Sequence, residues 1–279
     1  MFTNRLSAYA TICLVLLVAL STVVSCRKDD DDDIVTEPEK TGYAEDQLIL
    51  EHVYNNVDRV VERAFALGAA ALKGGENSLA SCATVTNADG LMVIDFGSNQ
   101  CLGYDGRYRK GKIMVQYTND KQRNDKGYFQ NITFQGYEVD GFGVMGTKRI
   151  TNMGLDAAGN IFFDERRVDS VYKPSENGYI TGESKRISTW YTGANTPQAA
   201  DDAFRLSGTG SFHRPNGDGY NIEISEQLLV AINCNWITDG RINIYPEGAT
   251  QRVLDYGDGG CENDATINVN GVVTPVKIP

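Results

Sequence analysis

Four carboxylates, Asp255, Asp258, Glu262 and Asp264, fall within ten residues around Gly257, Gly259 and Gly260. Hard oxygen donors on a glycine-rich loop suit Ca2+, so a calcium ion held by these four residues is one expectation. The spacing is not that of an EF-hand, whose ligands alternate and end on a glutamate at the twelfth position. The plainer expectation is a solvated turn fastened by Cys261. The chain holds two histidines, His52 and His213, which excludes a histidine-rich metal centre. A serine triad needs a histidine, and only His213 in Ser211-Phe212-His213-Arg214 could serve. No Gly-x-Ser-x-Gly elbow accompanies it, and His213 reads as a strand-end surface residue. Glycoside hydrolysis needs two facing carboxylates. With 37 Asp and Glu the sequence singles out no pair, and Asp164 with Glu165 or Asp255 with Asp258 are arbitrary choices. Gly141-Phe142-Gly143 and Gly208-Thr209-Gly210 lie among strand patterns with no helix to follow, so neither is a phosphate-binding loop. Binding remains. Trp190 and Tyr191 are adjacent, and in an alternating strand one of them faces outward or into a second layer. An exposed aromatic ring is a common grip for a sugar or a partner surface, which makes Trp190 and Tyr191 the candidate ligand-binding pair. Tyr104, Tyr108, Tyr128 and Phe129 flank other loops.

The elements that position these residues follow from pattern. Residues 46–73 read as one amphipathic helix. Leu48, Leu50, Val53, Tyr54, Val57, Val60, Val61, Ala64, Phe65 and Leu67 recur at spacings of three and four. Glu51, Asn55, Asp58 and Glu62 make its other face, His52 reads as a surface residue, and Gly74-Gly75 ends it. Beyond residue 75 the pattern changes to short alternating runs. Tyr220, Ile222 and Ile224 alternate with polar neighbours, as do Ile113, Val115 and Tyr117, and Ile267 with Val269. Period two marks one buried and one wet face, the signature of antiparallel sheets. Turn signals include Ala88-Asp89-Gly90, Ala158-Gly159-Asn160, Asn177-Gly178, Asn216-Gly217-Asp218-Gly219 and Asp239-Gly240. The run Leu228-Leu229-Val230-Ala231-Ile232 fits a buried strand or a short helical turn. Gly146-Thr147-Lys148-Arg149-Ile150-Thr151 echoes Gly182-Glu183-Ser184-Lys185-Arg186-Ile187-Ser188, as stacked hairpins would. The fold expected is mainly β: a large antiparallel sheet or sandwich of ten or more strands, with one N-terminal helix.

Composition narrows the function. A net charge of −11 without a basic cluster argues against nucleic acid, because phosphate contacts need Lys and Arg. A hydrophobic fraction of 41% describes a globular chain.

The N-terminus reads as a targeting segment over residues 1–25. Arg5 precedes an apolar run from Ile12 to Leu20, which is shorter than the roughly 20 residues a spanning helix needs. Val23-Val24-Ser25-Cys26 resembles the lipobox of bacterial lipoproteins, which implies cleavage before Cys26, acylation of that residue by palmitate-type chains, and membrane anchoring. Arg27 and Lys28 followed by Asp29, Asp30, Asp31, Asp32 and Asp33 resemble the acidic export signal of surface-exposed lipoproteins of the Bacteroidota. That resemblance implies an outer-membrane protein facing outside the cell. Residues 26–45 read as an acidic disordered linker, and 46–279 as a single domain. Val93-Ile94-Asp95-Phe96-Gly97, Arg109-Lys110-Gly111-Lys112-Ile113 and Leu254-Asp255-Tyr256-Gly257-Asp258-Gly259 are similar to the β-rich uncharacterised lipoproteins of that group, which carry no activity over.

With Cys13 in the targeting segment and Cys26 acylated, Cys82, Cys101, Cys234 and Cys261 remain. An even number in an exported chain implies two disulfides with three possible connectivities. Cys82–Cys101 and Cys234–Cys261 are favoured, because each pair brackets a hairpin-like segment. Four thiolates on one zinc ion lack the usual Cys-x-x-Cys spacing. The function expected is a non-enzymatic module that binds a glycan or a protein. The alternatives are a structural envelope lipoprotein and a carbohydrate hydrolase on a β scaffold.

Overall fold

The structure is a computed structural model that describes residues 37–67, 79–196 and 199–279. The lipobox cysteine Cys26, the run Lys28–Asp33 and residues 68–73 of the expected helix lie outside the described residues.

The fold is mainly β. Helix α1 (Glu37–Leu67) is followed by β1 (Thr84–Ala88), β2 (Leu91–Asp95), β3 (Cys101–Leu102), β4 (Tyr108–Tyr117), β5 (Phe129–Val139), β6 (Phe142–Leu155) and β7 (Ile161–Lys173). Then come β8 (Gly178–Thr192), β9 (Ala203–His213), β10 (Gly219–Ala231), β11 (Asp239–Pro246), β12 (Arg252–Asp258), β13 (Asp264–Val269) and β14 (Val272–Lys277). All belong to one antiparallel sheet in which each strand pairs with its chain neighbour, except that β3 is a short side branch on β4. Tight hairpins make this possible. Asp89-Gly90, Asp140-Gly141 and Asn270-Gly271 each place two consecutive residues at positive φ, the conformation of the two-residue turn that matches strand twist. Asp239-Gly240 is no turn: Gly240 sits at a register shift at the start of β11. The run Leu228–Ala231 is strand, with Leu228 and Val230 turned inward.

The helix begins at Glu37, earlier than its stripe alone indicated. Pro38 falls in the first turn, where the missing N–H costs no intrahelical bond. Tyr43 and Ala44 extend the buried stripe toward the N-terminus, so residues 41–45 belong to the folded unit rather than to a linker. A larger correction concerns the opposite face. Glu51, Asn55 and Glu62 are buried, Asp58 is half-buried, and His52 is only 3% exposed. The reason is the curvature of the sheet. Strands β11, β12 and β13 lie against one side of α1. From other directions Arg109 of β4 donates to Asn56, Lys148 of β6 to Asp58, Lys173 of β7 to Asp46 and Arg186 of β8 to Glu51. Arg107, just ahead of β4, donates to the Pro279 main-chain oxygen beyond β14 at 2.8 Å. The sheet thus rolls around the helix.

The disulfides are Cys82–Cys101 and Cys234–Cys261, closing separations of 19 and 27 residues. On the chain-entropy view each contributes about 3 kcal/mol. The two echoed stretches are not structural repeats. Gly146 and Gly182 share a row through Asp169. Lys148 then turns inward from β6, whereas Lys185 turns outward from β8.

Candidate functional site

Two places concentrate chemistry, one inside the roll and one on its outer face. Inside, Lys148 Nζ lies 2.7 and 2.9 Å from the Asp58 oxygens and 2.9 Å from Glu165. Arg186 clasps Glu51 with both of its terminal nitrogens. Arg167 pairs with Asp169 at 2.9 Å and lies 4.3 Å over the Tyr54 ring. Burial pushes the Glu51 carboxyl upward, but the charges of Arg186 and Arg167 more than reverse this and hold it at about 2. Burial also raises Asp58, against the pull of Lys148. The cavity at this cluster measures about 10 Å³, room for about one water molecule and for no substrate. The cluster therefore fastens the helix to β6, β7 and β8.

On the outer face, strands β8 to β11 form a valley of about 410 Å³. Its floor is β9, whose outward residues Thr209 and Ser211 are short. On the inner side Gly210 and Gly182 leave room for the buried Phe212 ring, and a Cβ on Gly210 would stand only 2.5 Å from it. The walls are long. Glu183 and Lys185 rise from β8, Asn221 and Glu223 from β10, and Tyr245 from β11. Register places them in two rows, Lys185–Thr209–Glu223 and Glu183–Ser211–Asn221–Tyr245. The β9–β10 ladder shifts register after Glu223, at the border of the valley, a disruption that sheets often show beside functional surfaces. Tyr245 is 39% exposed, and its hydroxyl donates to Glu223 at 3.3 Å. An aromatic face beside hydroxyl, amide and carboxylate groups can stack on one side of a sugar ring and hydrogen-bond its rim.

No family model, curated protein or solved structure matches the chain.

The residues singled out in the sequence fare differently. Trp190 is buried, 5.5 Å from the Phe204 ring, under the Arg123 guanidinium, with its Nε1 donating to Asp202 at 3.2 Å. It is a core residue and does not grip a ligand. Tyr191 faces out, with Arg205 stacked 4.5 Å over its ring. Alternation along β8 puts the two rings on opposite faces, so the pair does not form one site. Replacing Trp190 by Phe is expected to cost about 2 kcal/mol, through the lost partner of Asp202, and to leave ligand binding unchanged; a urea titration with a parallel binding assay checks both.

The calcium candidates do not converge. Asp255 accepts from Arg241 and from the Gly257 amide, and Asp264 pairs with Lys277. Among the described residues no group of three or more His, Cys, Asp or Glu is arranged to hold a metal ion. His213 is exposed at the end of β9, as expected. A second depression of about 450 Å³ at Gln100, Tyr108, Asp140 and Gly141 offers the exposed Tyr108 ring. There both Asp140 oxygens are taken, one by Arg107 and one by the Tyr108 amide. The valley was missed in the sequence because its residues come from four strands. The one available signal was the run of small residues from Ser207 to Ser211 in an otherwise bulky strand pattern.

Proposed function

We propose that this protein is a lipid-anchored binding module of a bacterial outer membrane, facing outside the cell, that takes a glycan in the valley over β8–β11. The N-terminal resemblance supports the anchoring and the export. Among the described residues no helix is long and apolar enough to cross a membrane. The observation behind the glycan reading is Tyr245 set beside Ser211, Asn221 and Glu223 in one depression of about 410 Å³. The valley supplies donors and acceptors without a metal ion.

Thermal melting against a panel of polysaccharides tests the reading. A ligand that binds only the folded state at 100 times its dissociation constant adds about 2.7 kcal/mol. One polysaccharide is expected to raise the melting temperature, and Tyr245→Ala to abolish that rise without lowering the melting point of the free protein. No shift with any polysaccharide sinks the glycan reading. Glu183 and Glu223 border the valley from β8 and β10, as two carboxylates acting on a glycosidic bond would. Reducing ends released in the same panel turn the reading from binding to hydrolysis.

A further inference from the structure

The outer face holds a row of cations with no acids opposite them. Asn131 of β5, Arg149 of β6, Arg166 of β7, Lys185 of β8 and Thr209 of β9 are successive register partners. Neighbouring strands lie about 4.8 Å apart, so three positive side chains start within about 10 Å of one another along a line across the sheet. Like charges directly opposite on adjacent strands destabilise the pairing. Elsewhere on this face cations have carboxylates. Lys110 pairs with Glu138 at 2.8 Å, Lys112 with Asp95 at 2.8 Å and Arg241 with Asp255 at 2.6 Å. Within the row only Arg166 has one, Asp164, at 2.8 and 2.9 Å. Arg149 lies 4.6 Å over the Phe129 ring, and among the described residues neither Arg149 nor Lys185 meets a carboxylate. This concentration stands out in a chain of net charge −11.

We infer that Arg149, Arg166 and Lys185 bind the acidic groups of a carboxylated or sulfated polysaccharide that lies across the strands and enters the valley at Lys185. The inference rests on the glycan reading of the valley and adds the class of ligand. The Arg149 guanidinium, held in place by the Phe129 ring, matches a carboxylate or sulfate with two parallel N–H donors, whereas Arg166 has its Nε and Nη2 on Asp164 and offers Nη1. Lys185 belongs both to the row and to the valley wall, so one polymer can follow both. Asn131 closes the row on the β5 side with an amide, while beyond Lys185 the row continues through Thr209 to Glu223, so the acidic groups of the polymer are held up to Lys185 and the valley takes its sugar hydroxyls.

Affinity electrophoresis of the full chain through native gels containing polygalacturonate, dextran sulfate or neutral dextran tests it. The expected result is retardation by polygalacturonate, by dextran sulfate or by both. The Arg149→Gln/Lys185→Gln variant should lose at least about tenfold in affinity while melting no lower than the parent, since it removes like-charge repulsion. Lys110→Gln, which changes a paired cation on the same face, should be retarded like the parent. The inference is overturned if neither polyanion retards the parent, or if the double variant is retarded as strongly. It is also overturned if Lys110→Gln loses as much, which would mean diffuse attraction. A parent that shifts with a neutral polysaccharide in the melting panel but passes freely through both acidic gels keeps the valley and loses the row. Retardation by both polyanions that survives Tyr245→Ala and disappears in the double variant keeps the row and removes the valley from the polymer's path. A parent indifferent to all probes, in an extract where an acidic protein binds the row, overturns the glycan class.

Discussion

Replacing Lys148 by Met is expected to remove about 3–5 kcal/mol of folding stability, the largest loss from any single substitution considered for this chain. Lys148 is 2% exposed and is the shared cation of Asp58 and Glu165. A methionine fills much of the same volume, so little of the loss is cavity. What remains is two neighbouring carboxylates that have lost their shared hydrogen-bonded cation and keep only the more distant pull of Arg167 and Arg186, and burying such groups unpaired is costly. The converse experiment separates this cause from packing. Combining Lys148→Met with Asp58→Asn and Glu165→Gln removes all three charges and is expected to recover a large part of the loss. Urea midpoints of the parent, the single and the triple variant decide it. A triple variant as unstable as the single one would show that shape, not charge, dominates at this site.

Acidification should destabilise the protein well above the range in which carboxylates usually titrate, and His52 is the cause. Its ring is buried on α1, and burial, reinforced by the nearby charges of Arg107, Arg59 and Arg109, lowers its pKa from 6.5 to about 3. Between those two values the unfolded chain holds a proton on this histidine that the folded chain does not. Stability therefore rises with pH across the window and falls as pH drops through it. At about 1.36 kcal/mol per unit, the fall from neutral pH to pH 4 is on the order of 3 kcal/mol from this group alone. Glu51 acts in the same direction lower down. Its depressed pKa of about 2 contributes stability that is present above 4.5 and lost as the pH falls toward 2. His52→Gln should flatten the dependence between pH 7 and about pH 4 while leaving the steeper acid limb. Chemical denaturation at a series of pH values reads both, and an unchanged slope in the variant would assign the effect to other groups.

Much of the fold was legible because it depends on local pattern. Alternation of apolar and polar residues marked β10 and β4, and the αL-forming turn at Asp89-Gly90 marked a hairpin between strand neighbours, whereas the equivalent turn at Asn270-Gly271 appeared only in the structure. The spacing of Val53, Val57, Val60 and Ala64 marked the helix. Each disulfide closes a short local stretch, and the pairing followed. The environment of the helix's second face was not legible, because periodicity distinguishes polar from apolar and says nothing about wet or dry. Asp46, Glu51, Asp58 and Glu62 are acids on that face, while Lys148, Arg167, Lys173 and Arg186 are bases at inward positions of β6, β7 and β8. The clue lay in β7, where Glu165, Arg167 and Asp169 stand at alternate positions between the buried Phe163 and Val171. A strand with three charges on its core side needs opposite charges facing it. Trp190 misled for a related reason: its neighbour Tyr191 is exposed, and which of the two faces out depends on a register that sequence does not supply. The valley depends on the same register, summed over four strands.

The enclosed helix also divides the molecule's assembly into two kinds of event. Every long strand pairs with its immediate successor, so the sheet can zip from hairpin to hairpin with little loop-closure entropy at each step. Capture of α1 has no such local route. Its contacts with Tyr220, Ile232 and Asn235 bridge 173, 173 and 180 residues. The helix is made first along the chain, yet its last walls arrive some two hundred residues later with β11, β12 and β13. Until then the helix can be held only from the side of β6, β7 and β8, whose bases meet its acids, and the side that β11, β12 and β13 cover stays open to water. Enclosure, rather than strand pairing, is therefore expected to be the slow topological step of this fold, which stopped-flow refolding of the parent and of a helix-stripe variant would read. A chain cut before β11 would keep the ion pairs that fasten the helix to β6, β7 and β8 and lose the strands that close over its other side.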